Sequence, residues 1–169
     1  MDTNNTSGLD KNYVKKNIRM SFLAEPDTVN FGGKVHGGEV MKWIDQAGYA
    51  NAVQWSGSYS VTIYVSGIRF LAPIHIGSFV DVTSELVYTG RTSMHFNVEV
   101  HSRSIKSSHS QLCCHCMIVF AAVDETGQTV EVPPYEPDTE REIELRKYAI
   151  DLMEMRKGIQ DKMGELFSK

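Results

Sequence analysis

The hydrophobic period of this chain changes twice, and no helix interrupts the stretch between the changes. Over residues 38–55, Val40, Met41, Ile44, Ala47, Gly48 and Ala52 recur at the spacing of one helical face. From Tyr59 the period drops to two, and helical spacing returns only at Thr139. Strands that follow one another without intervening helices pair antiparallel. With a β-compatible segment over 12–23, the predicted order is strand, long helix, four strands, C-terminal helix.

The strand segments differ in clarity. Tyr59, Val61, Ile63 and Val65 alternate with Ser60, Thr62, Tyr64 and Ser66. Val80, Val82, Leu86 and Tyr88 mark the next strand. In RTSMHFNVEVH, Met94, Phe96, Val98 and Val100 alternate with Ser93, His95, Asn97 and Glu99, the cleanest pattern in the chain. Leu112 to Val123 is almost continuously apolar and reads as a strand buried on both faces. Beyond Pro133-Pro134, Leu145, Tyr148, Ala149, Leu152, Ile159, Met163 and Leu166 form one helical stripe. Thr139 and Glu142 have capping-box spacing, and Glu142 and Arg146 that of an i,i+4 pair.

With 169 residues and 41% hydrophobic content the chain suits one core. We expect a polar tail over 1–10, a main domain over 11–135 and a helical extension over 136–169. A net charge of −4 gives no reason to expect nucleic acid or an anionic membrane as partner. The opening MDTNNTSGLD lacks the apolar core of a signal peptide, and no apolar run is long enough to span a bilayer. Three crowded cysteines do not make a disulfide framework, so a reducing, cytoplasmic setting is expected.

Chemistry concentrates in VNFGGKVHGGEVMKWIDQAG. The spacing from Gly33 to Gly38 is that of a phosphate loop, but Glu39 stands where the lysine belongs and would repel phosphate. What remains is bare backbone at a helix start, where free N–H groups at Gly37 and Gly38, with that of Glu39, suit a carbonyl oxygen or oxyanion. His36 reads as structural, as do His75, His95, His101 and His109. On a strand, Cys114 and Cys116 face away from Cys113 and His115, so the CCHC run reads as buried thiols with no metal. Asp45 lies close to the apolar side of the helix, which is unusual for a carboxylate.

Together with VTIYVSGIRFLAPIHIGSFV, YTGRTSM and VPPYEPDTEREIELR, that stretch resembles the hotdog-fold acyl-CoA thioesterases, in the cytosolic acyl-CoA hydrolase branch. The resemblance covers roughly residues 12 to 150, with four motifs in order. It implies an α+β hotdog fold: an antiparallel sheet wrapped around a long central helix, here with an added C-terminal helix. It implies that Asp45 is the catalytic carboxylate, paired with Asn30 of a neighbouring subunit, and that Thr62 lies near it. Gly37 and Gly38 match the helix start that polarises the thioester carbonyl. Gly90, Arg91, Thr92 and Ser93 match a turn that lies against coenzyme A. Lys34 departs from the small or polar residue common at its place in the loop.

The expected reaction is hydrolysis of acyl-CoA to free coenzyme A and a carboxylic acid, with Asp45 as general base or nucleophile. No cofactor is implied, since coenzyme A enters as part of the substrate. Relatives form dimers that assemble further, so a homodimer and a trimer of dimers are expected. An unpaired sheet edge gives an independent reason for dimerisation. The rival reading is a hotdog module that binds acyl-CoA as a sensor without turnover, which would lack the acid at Asp45. A hotdog dehydratase fits less well, because His36 lies in a glycine turn.

Overall fold

The computed structural model describes residues 15–167; the expected tail over 1–10 and the start of the first expected strand lie outside the described residues. The elements are β1 (Asn17–Leu23), a 3-10 turn (Pro26–Thr28), α1 (Gly37–Ser56), β2 (Ser60–Phe70), β3 (Phe79–Thr89), β4 (Ser93–Arg103), β5 (Gln111–Ala122) and α2 (Glu140–Phe167). The strands form one antiparallel sheet in the order β1-β3-β4-β5-β2. This is the expected hotdog architecture, with α1 on one face of the sheet.

α1 presents Val40, Trp43, Ile44, Ala47, Gly48 and Ala52 to the core. Gly48 sets how deeply it lies. A Cβ there would sit 2.7 Å from Phe120 Cε2 and 3.1 Å from Ile118 Cγ2, both on β5. Only a residue without a side chain permits this approach. The helix ends at Gly57, whose φ of 67° is left-handed and whose N–H donates to the Val53 carbonyl at 2.9 Å.

β4 keeps its alternation: Met94, Phe96, Val98 and Val100 are fully buried against α1. His95 and Asn97, on the opposite face, are buried too, because α2 covers that side. β2 departs from the pattern. Its pairing with β5 shifts between Thr62 and Tyr64 and again between Ser66 and Arg69. A bulge reverses which residues face which side. The expected alternation does not hold across it: Tyr59 and Ile63 are exposed, whereas Ser60 is buried and Thr62 turns toward α1.

The cysteine run needs a similar correction. Val100 pairs with Cys114 but His101 with Leu112, so Cys113 is the extra residue of a bulge. It therefore joins Cys114 and Cys116 in the core instead of facing the other way. Burial pushes the Cys114 thiol up to about 11 and that of Cys116 up to about 12, which keeps both protonated. His115 does face outward, with Nε2 2.7 Å from Asn97 Oδ1.

α2 begins with the expected capping box. Thr139 N–H donates to Glu142 Oε2 at 3.2 Å, and Glu142 N–H donates to Thr139 Oγ1 at 3.3 Å. The expected Glu142–Arg146 pair does not form. Glu142 is taken by Lys16, and Arg146 reaches Glu136 at 3.1 Å. Tertiary partners outcompete the weak helical pair.

Candidate active site

Two separate groups of residues flank α1. The first lies on its side. Asp45 is exposed, and its Oδ1 accepts a hydrogen bond from Thr62 Oγ1 at 2.5 Å. The bulge that turns Thr62 toward the helix brings the edge strand and the carboxylate together. One carboxylate oxygen remains without a partner, facing solvent from the side of the sheet where β2 is unpaired among the described residues.

The second group is built around the start of α1. Residues 29–35 form a small hairpin closed by a Val29–Val35 bridge. Asn30 stitches its turn. Its Oδ1 accepts from Gly32 N–H at 2.9 Å and from Lys34 N–H at 3.4 Å, while Gly33, at a φ of 68°, takes the left-handed bend. With its oxygen occupied by the loop, Asn30 offers its NH2 group outward. A cleft of about 350 Å³ opens beside this hairpin, lined by Asn30, Lys34, Gly37, Phe70, Ile74 and Cys114 among others.

The helix start differs in one respect from the sequence reading. Glu39 N–H is already donated to the His36 carbonyl at 3.0 Å. The N–H groups of Gly37 and Gly38 have no acceptor among the described residues and face outward at the positive end of the helix. His36 is the N-cap residue and makes no side-chain cap bond. Phe70, which the sequence reading did not single out, lies over Gly37: a Cβ there would be 3.4 Å from the ring. Its only signal in the sequence was its place at the end of a strand.

Among the described residues, no hydrogen bond and no shared cleft joins Asn30 to Asp45. Asn30 shares its cleft with Gly37, whereas Asp45 is seven residues past Gly38, about 10 Å along the helix. The turn Gly90–Ser93 is separate again. It lies at the end of the sheet where Thr62 pairs with Phe120 and Phe120 with Met94. Gly90 N–H closes it onto the Ser93 carbonyl at 2.9 Å, and Arg91 meets Glu131 at 3.5 Å with both side chains exposed.

The thioesterase superfamily model matches residues 32–108. The protein VdlD of Helicobacter pylori is 33% identical over 82% of this chain and 79% of its own length. A protein of Buchnera aphidicola named as an uncharacterized acyl-CoA thioester hydrolase is 32% identical over 69% of this chain and 89% of its own. The chain belongs to the thioesterase superfamily. Among solved members of this family, the crystal structure of an apo-hexameric acyl-CoA thioesterase superposes with a TM-score of 0.82 at 30% identity, covering 86% of this chain and 93% of that one. No described helix of this thioesterase-family chain is long and apolar enough to cross a membrane.

Proposed function

We propose that the protein hydrolyses acyl-CoA thioesters at a site shared between two copies of the chain. The observation that carries this reading is the exposed Asp45 carboxylate held by Thr62, about 10 Å from the free N–H groups of its own helix. A thioester carbonyl resting on Gly37 and Gly38 is out of reach of Asp45 in the same chain. Pairing β2 with β2 of a second copy brings Asp45 of one chain toward Asn30 and Gly37 of the other. The exposed apolar residues Ile63 and Phe70 of β2 and Tyr59 and Leu71 that flank it support that pairing, because they would be covered by it.

At such a site the carbonyl oxygen accepts from the Gly37 and Gly38 N–H groups, which stabilise the charge that develops on it. Asn30 donates its NH2 to the carbonyl or to the attacking water. Asp45 either takes a proton from that water or attacks the carbonyl carbon itself. The carbon–sulfur bond then breaks, giving the carboxylic acid directly in the first case and, in the second, an anhydride on Asp45 that water hydrolyses to the acid and the free carboxylate. Coenzyme A leaves as a thiolate, whose conjugate thiol has a pKa of about 8.5, so no strong general acid is required. Lys34 beside the cleft and Arg91 on the β3–β4 turn are the cations we assign to the phosphates of coenzyme A.

Named relatives support the substrate class, and a hexameric relative supports assembly beyond the monomer. The test is release of free thiol from a series of acyl-CoA substrates by the purified protein. Binding of coenzyme A without release at any chain length would refute hydrolysis and leave a binding module.

A further inference from the structure

His95 of β4 and Arg156 of α2 each bury a polar atom that has no hydrogen-bond partner among the described residues: His95 Nδ1 and Arg156 Nε. Both side chains line the same cavity, of about 10 Å³, between the outer face of the sheet and α2. The sequence puts them there. Alternation along β4 turns His95 away from Met94 and Phe96. Arg156 stands two helical turns past Ala149, on the face that α2 lays against Val87 and Met117. His95 is only 3% exposed.

A buried polar atom is costly to leave unpaired, and a buried charge costlier still. Arg156 meets no carboxylate among the described residues. Its guanidinium carbon lies 4.9 Å from the centre of the Tyr64 ring, which holds the group in place without neutralising it. Burial, and then the Arg156 charge, pull the His95 pKa down to about 4, so the ring is neutral at neutral pH. A neutral ring still donates, through Nδ1–H in that tautomer. Ser66 of β2 also lines the cavity and brings a hydroxyl that can turn to donate. Donors and one positive charge therefore surround a space about one water in size, walled by Met117, Val119 and Leu152.

We propose that this cavity binds a single monatomic anion, chloride, between Arg156 Nε and His95 Nδ1. The space admits one small sphere and rejects sulfate, phosphate or a carboxylate. A water would satisfy the same two atoms but leave the Arg156 charge uncompensated, whereas an anion does both. The apolar wall lowers the local dielectric, which strengthens the attraction. Arg156 belongs to α2 and His95 to the sheet, so the ion ties the two layers together where the helix passes over β2. The site lies on the opposite face of the sheet from Asp45 and is independent of the hydrolytic reading.

The test compares thermal unfolding of the full chain in sodium chloride and in sodium gluconate, at equal pH and ionic strength. Gluconate is too bulky to enter. Once chloride exceeds its dissociation constant, each further tenfold step should raise the melting temperature by roughly 3–6 °C over the gluconate value. In Arg156→Met, which keeps an apolar stem of similar reach, the difference between the two salts should vanish. Crystals of the wild type grown in sodium bromide should show anomalous scattering in the cavity between Arg156 Nε and His95 Nδ1. That measurement decides the matter if Arg156→Met fails to fold. Equal melting in the two salts, a difference that survives in Arg156→Met, or a cavity that takes up water and no bromide each overturns the proposal.

Discussion

The hydroxyl of Thr62 donates to the Asp45 carboxylate at 2.5 Å, across the gap between the edge strand and the central helix. The bond fixes the orientation of the carboxylate, which a base or nucleophile needs in order to meet its target in line. Asp45→Ala is expected to lower kcat by about 10²–10⁴. Thr62→Val removes one hydrogen bond to a charged group and should cost roughly tenfold in kcat. Steady-state kinetics on one acyl-CoA check both. Equal losses in the two variants would show that Thr62 does more than orient.

The separation of Asn30 from Asp45 within the chain predicts complementation. Asn30→Ala and Asp45→Ala are each expected to be inactive. Unfolded and refolded together in equal amounts, half of the resulting dimers contain both kinds of chain, and each mixed dimer has one intact site. About a quarter of wild-type activity should return. A mixture as inactive as its components would rule out a shared site.

Gly48→Ala tests the depth of the central helix. Alanine improves helix propensity by up to about 1 kcal/mol. Its Cβ meets the buried Phe120 ring at 2.7 Å, and that ring has no room to retreat. Overpacking costs about 1–3 kcal/mol, so a net loss near 1 kcal/mol and a melting temperature lower by roughly 2–4 °C are expected. A helix lifted from the sheet also stretches the Asp45–Thr62 bond one turn away. Activity should therefore fall even at temperatures where the variant is folded.

His95 gives the fold a sensitivity to acid. It is buried beneath α2 beside a cavity of about 10 Å³, also lined by Arg156. Burial, with the nearby Arg156 charge, pulls its pKa down to about 4. Below pH 6.5 the unfolded chain binds a proton that the folded chain refuses until about pH 4. Stability should thus fall as pH drops from 6.5 to 4, by up to about 1.4 kcal/mol per pH unit. Glu142 takes over below that, since Lys16 holds its carboxyl down to about 2 and its contribution is lost as pH falls from 4.5 toward that value. Denaturant titrations of wild type and His95→Asn between pH 7 and 4 check this, with a flatter slope expected for the variant.

The sequence carried the elements well because their periods are long and unambiguous. Met94, Phe96, Val98 and Val100 declared one face of β4, and Thr139 and Glu142 declared the start of α2. What it hid were the bulges. Nothing in YSVTIYV announces that pairing slips after Thr62, because a bulge is set by the neighbouring strand's register, not by local composition. For that reason Ile63 falls out of its alternating set and Cys113 lies on the opposite face from the one expected. Burial of His95 and Asn97 was hidden as well, since the helix that covers them lies some fifty residues away in sequence. Asp45 stood out as a carboxylate beside an apolar stripe, but its pairing with Thr62 came only from the family resemblance. The dependence of Asn30 on its own loop emerged only from the geometry.

The hairpin at Asn30 and the flank at Asp45 carry opposite chemical endowments. Asn30, Lys34, Gly37 and Gly38 present only hydrogens, so that surface can hold an electron-rich oxygen but cannot strip a proton from water. Asp45 presents only lone pairs, so it can take a proton but cannot steady the oxyanion that results. On the shared-site reading, a freshly synthesised chain is inert however well it has folded. Hydrolysis begins with the first encounter between two chains, and its onset is set by protein concentration before any ligand or regulator intervenes.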